Sequence, residues 1–401
     1  EDGELAELTR EGVTCYNHLL QPVEKEAAHV DWEIDAAEKG GYEHFMFKEI
    51  MEQPEALRRA IFPRLRDGEV VLDSFGLDDE YIQKIEKIYI VACGSSYHVG
   101  MVGKYNLERV TRIPVEVALA SEFRYSSPIV DDKTLVIVIS QSGETADTLA
   151  ALREAKKLGA RTLGVVNVVG SSIAKECDDV LYTWAGPEIA VATTKGYTTQ
   201  VAVLDLLAVY LARRLGRLDD QRYRALVKAI EQFPSLVQRA IDLNPNLPAL
   251  AEKYHGYNDI FFLGRNLDYA ASMEGSLKLK EISYLHSEAY AAGELKHGTI
   301  ALIEKDRPVI ALACYERLFD KMMSNIKEVK ARGAQVLAVA LEGNRQIFAE
   351  ADDVIFVPRT EPLFNTLPEV VPLQLFAYYV ARANGCDIDK PKNLAKSVTV
   401  E

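Results

Sequence analysis

The stretch EAKKLGARTLGVVN at residues 154–167 returns as EVKARGAQVLAVAL at residues 328–341, 174 positions further on. DDVLY at residues 178–182 returns at the same displacement as DDVIF at residues 352–356. EVALASEF, from Glu116, reappears 172 positions on as EAYAAGEL, from Glu288. Three blocks in one order at nearly one offset mean an internal duplication.

Each copy alternates short β-branched runs with amphipathic helical segments, the pattern of parallel βαβ units. In the first copy, strands are predicted at Ile88–Ala92, Val115–Ala118, Thr134–Ile139, Thr162–Val166 and Val180–Thr183. The fully apolar run LVIVIS means a sheet covered on both faces. The second copy opens at Ile260–Leu263 and closes near Val357. We therefore expect an α/β fold of two tandem doubly wound, flavodoxin-like parallel-sheet domains. Helices are predicted at Thr145–Lys157, Gln200–Leu215 and Leu373–Ala383, with Pro54 opening one of two earlier helices.

The duplication leaves flanking pieces. Leu5–Thr9 and Val13–Tyr16 read as a two-stranded hairpin, marginal when alone, so residues 1–20 look like the last edge of something larger. We expect the chain to be part of a longer polypeptide. Residues 21–77 are assigned to a polar linker (about Gln21 to Asp35) and helices, 78–217 to the first copy, 218–249 to a helical connector, 250–390 to the second copy, and 391–401 to a tail.

At 401 residues, 48% hydrophobic and 26% charged, the composition is that of a globular protein. A net charge of −14 argues against a nucleic-acid surface. No apolar run approaches a membrane span. The five cysteines are scattered without a pairing pattern, which points to a reduced, cytoplasmic setting. No His/Cys/Asp/Glu set has metal-ligand spacing, and we expect neither metal nor cofactor.

The sharpest chemical signal is SQSGET, residues 140–145. A buried strand stops at Ser140 and a helix starts near Thr145, so Ser140, Gln141, Ser142, Gly143 and Thr145 surround a helix N-terminus. Main-chain N–H groups and hydroxyls there form an anion cradle. An N-cap accounts for one hydroxyl, whereas three with Gln and Gly point to a phosphate. CGSSYHVG, residues 93–100, ends the neighbouring strand, and Ser95 and Ser96 face the same crevice. The second copy ends the corresponding strand in ACYERLF, so the cradle is expected once per chain.

The second copy instead carries MEGSLKLKEISYLHSEAYAAGELKHG, residues 273–298. Glu274, Lys278, Glu281 and Leu285 share one helix face. Lys278 and Glu281 read as an acid/base pair or as a surface salt bridge, which contributes little. His297 is a plausible proton carrier or a bystander, and His98 and His286 rank below it. The Asp178–Asp179 and Asp352–Asp353 pairs read as solvated turns. The tail KPKNLAKSVTVE offers Lys396 and Ser397, but on composition alone it should fray.

Together, SQSGETADTL, KLKEISYLHSEAYAAGELKHG and NLAKSVTVE resemble the glutamine–fructose-6-phosphate aminotransferase (glucosamine-6-phosphate synthase) family over nearly the whole chain. The resemblance implies two sugar isomerase (SIS) domains, with the family's N-terminal glutaminase absent except for its last hairpin. It implies fructose 6-phosphate and glucosamine 6-phosphate as ligands, with ammonia from glutamine supplied by the missing domain. Ser96, Ser140, Gln141, Ser142 and Thr145 would hold the phosphate. Ala395, Val191 and Thr193 would touch the sugar, the family often carrying Ser in place of Thr193. Lys396 would form the Schiff base at C2, Glu281 near Lys278 would move the proton between C1 and C2, and His297 would assist ring opening across a homodimer. Lys396 must attack as a neutral amine, which burial or a nearby cation such as Lys278 would favour. A sugar-phosphate-sensing module without catalysis and a deglycase acting on a phosphorylated sugar–amine adduct are the alternatives.

Overall fold

Residues 3–25, 38–72 and 76–400 are described by a computed structural model. The chain divides into two compact units, Glu1–Glu33 and Ile34–Glu401. In the first, β1 (Leu5–Leu8), β2 (Val13–Tyr16) and β3 (Pro22–Val23) form an antiparallel sheet in that order. The third strand, in the stretch expected to be linker, is a correction. Asn17 Oδ1 accepts the N–H groups of Leu19 and Gln21, at 2.9 and 3.1 Å, and turns the chain back. Residues 26–35 of the expected linker lie outside the described residues.

The second unit opens with α1 (Phe45–Met51), α2 (Gln53–Ile61, Pro54 in its first turn), the small hairpin β4 (Leu65–Arg66) and β5 (Glu69–Val70), and α3 (Asp79–Lys84). The first copy then runs β6 (Lys87–Ala92), α4 (Gly94–Thr111), β7 (Val115–Leu119), α5 (Ala120–Phe123), β8 (Thr134–Ser140), α6 (Ala146–Lys157), β9 (Arg161–Val166), α7 (Ser172–Glu176), β10 (Asp179–Tyr182) and α8 (Lys195–Arg214). Three connecting helices follow: α9 (Asp220–Glu231), α10 (Phe233–Asp242) and α11 (Leu247–Tyr254). The second copy has β11 (Asp259–Gly264), α12 (Leu267–Ser283), β12 (His286–Ala291), β13 (Pro308–Ala313), α13 (Phe319–Lys330), β14 (Gln335–Leu341), β15 (Asp353–Val357) and α14 (Thr366–Ala383).

Both five-stranded sheets are parallel and wound alike, β7-β6-β8-β9-β10 and β12-β11-β13-β14-β15. In each the strand order reverses between the first and third strands, and the crevice at their carboxyl ends is where such sheets bind ligands. All seven residues of β8 are buried, as the LVIVIS run predicts. Each fully buried Ile or Val there stabilises the fold by about 1.5–3 kcal/mol. One apolar core runs through both copies, with Val99, Leu204, Leu279 and Phe376 from α4, α8, α12 and α14 among its members.

Two helices start earlier than expected. α8 begins at Lys195 rather than Gln200: its threonine-rich start is buried, and the Gly196 N–H of its first turn finds an acceptor in Glu188 Oε1 at 2.9 Å. α14 begins at Thr366 rather than Leu373 and contains Pro372. Pro368 sits in the first turn, where its missing N–H costs nothing, and burial on nearly all sides compensates for the bond that Pro372 removes. Asp178 and Asp352 stand exposed at bends before their strands, as expected, and each also ties in a neighbouring strand: Asp178 Oδ2 accepts the Thr162 N–H at 2.8 Å and Asp352 Oδ2 the Val336 N–H at 2.7 Å. The duplication thus repeats down to single hydrogen bonds. Among the described residues no helix is long and apolar enough to cross a membrane.

Candidate active site

The first copy's crevice is framed by the turns after β6 and β8. Gly143 has φ +69°, a conformation glycine adopts without penalty, and its N–H donates to Ser140 Oγ at 3.0 Å. Ser140 Oγ lies 2.9 Å from Thr145 Oγ1. Ser142 Oγ accepts from Glu144 N–H at 3.2 Å, and Gln141 joins the turn by accepting the Asn167 N–H through its carbonyl at 3.2 Å. Opposite, Ser96 donates to Gln200 Oε1 at 3.1 Å, while the buried Gln200 Nε2 keeps a donor unused. The Ser140–Thr145 turn thus gathers hydroxyls and main-chain N–H groups at the start of α6, a kind of place where an oxyanion can be held. Ser95 turns away from it and donates to Glu274 Oε1 at 2.9 Å.

The C-terminal tail does not fray. Ser397 Oγ lies 2.9 Å from Ser142 Oγ, and the Val398 carbonyl accepts the Ala146 N–H at 3.0 Å. Further back, the Asp389 carboxylate accepts the N–H groups of Phe45 and Met46 at 2.9 and 3.0 Å, and its carbonyl accepts that of Val191 at 3.1 Å. Lys396 is thereby delivered to the 188–195 loop, its Nζ 2.7 Å from Glu188 Oε2 and 3.4 Å from Thr193 Oγ1. Ala395 is exposed beside it.

Glu188 has no exposed side-chain surface, yet it sits below the usual carboxylate range. Burial pushes it up, but Lys396 and the N–H groups of Gly196 and Thr194, each 2.9 Å from Oε1, outweigh that. Glu49 of α1, which accepts the N–H groups of Ile189 and Ala190 at 2.5 and 3.3 Å, is pushed up to about 8 by burial and then by the charge on Glu188. Two neighbouring carboxyls are driven apart, one ionised and one protonated.

On α12 the Lys278–Glu281 pair is no surface salt bridge. Lys278 is fully buried, with Nζ 2.5 Å from Glu281 Oε2 and 3.5 Å from Glu274 Oε1. Burial works against its charge, but Glu281 and then Glu274 hold the ammonium above the usual lysine range. Each lysine has its own carboxylate partner, Lys396 on Glu188 and Lys278 on Glu281, and the charge of Glu188 also acts on Lys278. His297 closes an exposed turn, Glu294–His297, and no hydrogen bond among the described residues ties it to the Lys396 cluster.

A SIS-domain family profile matches residues 81–210 and 253–382, one match per copy. The glutamine–fructose-6-phosphate aminotransferase (isomerizing) of Clostridium tetani is 54% identical over 402 aligned residues, and that of a Thermus thermophilus strain is 49% identical over 401. Both alignments cover 100% of this chain and 66% of the relative, so the chain spans just under two thirds of their length. The solved C-terminal domain of glucosamine-fructose-6-phosphate aminotransferase from Francisella tularensis superposes with a TM-score of 0.84 at 40% identity, covering 88% of this chain and 100% of that one. The chain belongs to the SIS-domain family, within the aminotransferase branch that this structure represents.

The two SIS copies differ at the cradle. By register, Ala92 and Ile139 correspond to Gly264 and Leu312, so Ser96 corresponds to Asp268, and Gln141 and Ser142 to Cys314 and Tyr315. Gly94 and Asn266, at φ +55° and +58°, mark the same turn. The second copy keeps the main-chain N–H groups of the cradle but fills the space itself: Asp268 Oδ2 accepts from Cys314 and Tyr315 at 3.0 and 3.1 Å. Beside it lies the fully buried Glu369. Burial, followed by the neighbouring acid, raises Glu369, and burial pushes Asp268 up to about 7, so the pair retains a proton at neutral pH. Glu188, Glu49 and Gln200 were not singled out from sequence. The only signal was an acid inside the apolar EIAVATTK loop, and one sequence does not reveal which acids fold inward.

Proposed function

We propose that the chain is the isomerase portion of a glucosamine-6-phosphate synthase. It binds fructose 6-phosphate in the first SIS copy and, given ammonia, forms glucosamine 6-phosphate. One observation carries this reading: Lys396 lies on buried Glu188 while Ser397, the next residue, is bonded to the phosphate loop through Ser142. A phosphate sensor needs the loop, but it has no use for an amine, an ionised proton acceptor and a second acid/base pair around it.

In this mechanism Ser96, Ser140, Gln141, Ser142 and Thr145 hold the phosphate, Val191, Thr193 and Ala395 line the sugar, and His297 of a partner subunit assists ring opening in a homodimer. Lys396 passes its extra proton to Glu188, attacks C2 and expels water as the imine forms. Ammonia displaces Nζ by imine exchange. Glu281, held by Lys278, takes a proton from C1 as the imine nitrogen gains one, giving an enolamine, then delivers a proton to C2 as the C1 hydroxyl loses its own, leaving an aldehyde at C1 and an amine at C2. In the full-length protein the ammonia comes from glutamine through a domain outside this chain. The five unpaired cysteines support a cytoplasmic setting, and we assign residues 78–217 and 250–390 to the SIS domains with 391–401 as the catalytic tail.

The test is incubation with fructose 6-phosphate and ammonium in deuterated water, followed by proton NMR. Wild type is expected to yield glucosamine 6-phosphate carrying exchanged deuterium, and Lys396→Ala to bind sugar without forming it. Unchanged product formation by Lys396→Ala would remove the Schiff-base role. Binding without turnover by wild type would favour a sensor.

A further inference from the structure

Glu281, Lys278, Glu274 and His98 form an unbroken polar chain from the proton-moving carboxylate into the other SIS copy. Nζ of Lys278 touches Glu281 at 2.5 Å and stands 3.5 Å from Glu274 Oε1. Glu274 has no exposed side-chain surface, and α4 of the first copy supplies it with two donors. Ser95 Oγ donates to Oε1 at 2.9 Å and His98 Nδ1–H to Oε2 at 2.8 Å. Lys278 thus has two carboxylates within reach, and its closer hold on Glu281 depends on Glu274 being occupied elsewhere. A buried carboxylate that loses a donor retains an unmet acceptor, at a cost comparable to a lost charged hydrogen bond. The lysine one helical turn away is the nearest group able to satisfy it.

We infer that His98 is a positioning residue: by holding Glu274 across the seam between the copies, it keeps Lys278 on Glu281 and keeps Glu281 aimed at C1 and C2. This rests on the reading of Glu281 as the base. The sequence ranked His98 below His297 because a lone helical histidine carries no spacing signal. Its partner lies 176 residues away, on the duplicated domain.

The experiment compares His98→Ala, His98→Asn and His98→Gln. Asn places an amide donor where Nδ1 stands, whereas Gln places one nearer Nε2. For His98→Ala, kcat and C1 exchange should fall about 10- to 100-fold, the penalty of an ångström-scale misplacement. The KM for fructose 6-phosphate should change little, because the phosphate ring is untouched. Asn should restore most of the rate and Gln should not. Wild-type kcat in His98→Ala, or equal loss in Asn and Ala at equal melting temperature, would overturn the inference. A crystal structure of His98→Ala gives a readout independent of turnover, in which Nζ of Lys278 should leave Glu281 for Glu274. An unchanged Lys278–Glu281 contact would overturn the inference even in an inactive protein, whereas exchange absent from wild type itself would count against the assigned reaction.

Discussion

Gly143→Ala tests the phosphate cradle proposed at the Ser140 turn. Alanine at φ +69° costs about 1–2 kcal/mol in backbone strain. Its Cβ would lie 2.0 Å from Ser171 Oγ and 2.5 Å from Ser171 Cβ. The hydroxyl can rotate away, but the Cβ cannot, so normal carbon contact requires about 1 Å of main-chain movement. That movement is resisted by the Ile173 N–H bond to the Gly143 carbonyl and by the Gly143 N–H bond to Ser140, both 3.0 Å. The cradle's donors therefore leave their aim. Losing one charge-assisted bond, about 1.5–3 kcal/mol, weakens binding by about 10- to 150-fold. Calorimetric titration with fructose 6-phosphate measures this directly. Gly159→Ala is the control: it meets φ +89° with nothing within 4 Å, and should lower the melting temperature without affecting affinity. Fructose 6-phosphate affinity within about twofold of wild type in a folded Gly143→Ala, against the ΔΔG just derived, would refute the placement of the phosphate.

Two further predictions concern buried acids. Asp268 and Glu369 keep protons in the fold that the unfolded chain releases above about pH 4–5, so each excess proton makes stability fall by about 1.4 kcal/mol per pH unit until the folded groups titrate. Glu369→Gln removes one such proton, and its melting temperature should match wild type near pH 4.5 and exceed it at pH 8; a gap of equal size at both would dismiss the shared proton. Glu188→Gln leaves Lys396 without its carboxylate, so imine trapping by borohydride should fall about 100-fold with phosphate affinity retained, whereas normal trapping would show that another group takes the lysine's proton.

What the sequence disclosed follows from the distance over which each cause acts. Strand positions, the covered sheet and the turn at Ser140 rest on local patterns, so they were legible from spacing. The Ser140 cradle was also local, six consecutive residues between a strand and a helix. Lys396 was not legible from its own neighbours, because its hold comes from residues 208 and 255 positions away, Glu188 and, through Ser397, Ser142. The tail offered it as a candidate, but only the family resemblance gave it a role. The helix expected from Leu373 starts seven residues earlier, at Thr366, because burial around α14 accommodates Pro372 inside it.

The duplication itself was legible, but what became of the corresponding turn in the second copy was not. Loss of SQSGET from the second copy suggested that its cradle had been dismantled. The main-chain donors are still there, and Asp268, at the position of Ser96, occupies them with the protein's own carboxylate. A serine at that position leaves room for a ligand's anion, and an aspartate supplies one. The same turn geometry therefore stays open in one copy and is filled by the protein's own carboxylate in the other, and under the function proposed above the second copy lends Glu274, Lys278 and Glu281 to a site whose anion cradle belongs to the first.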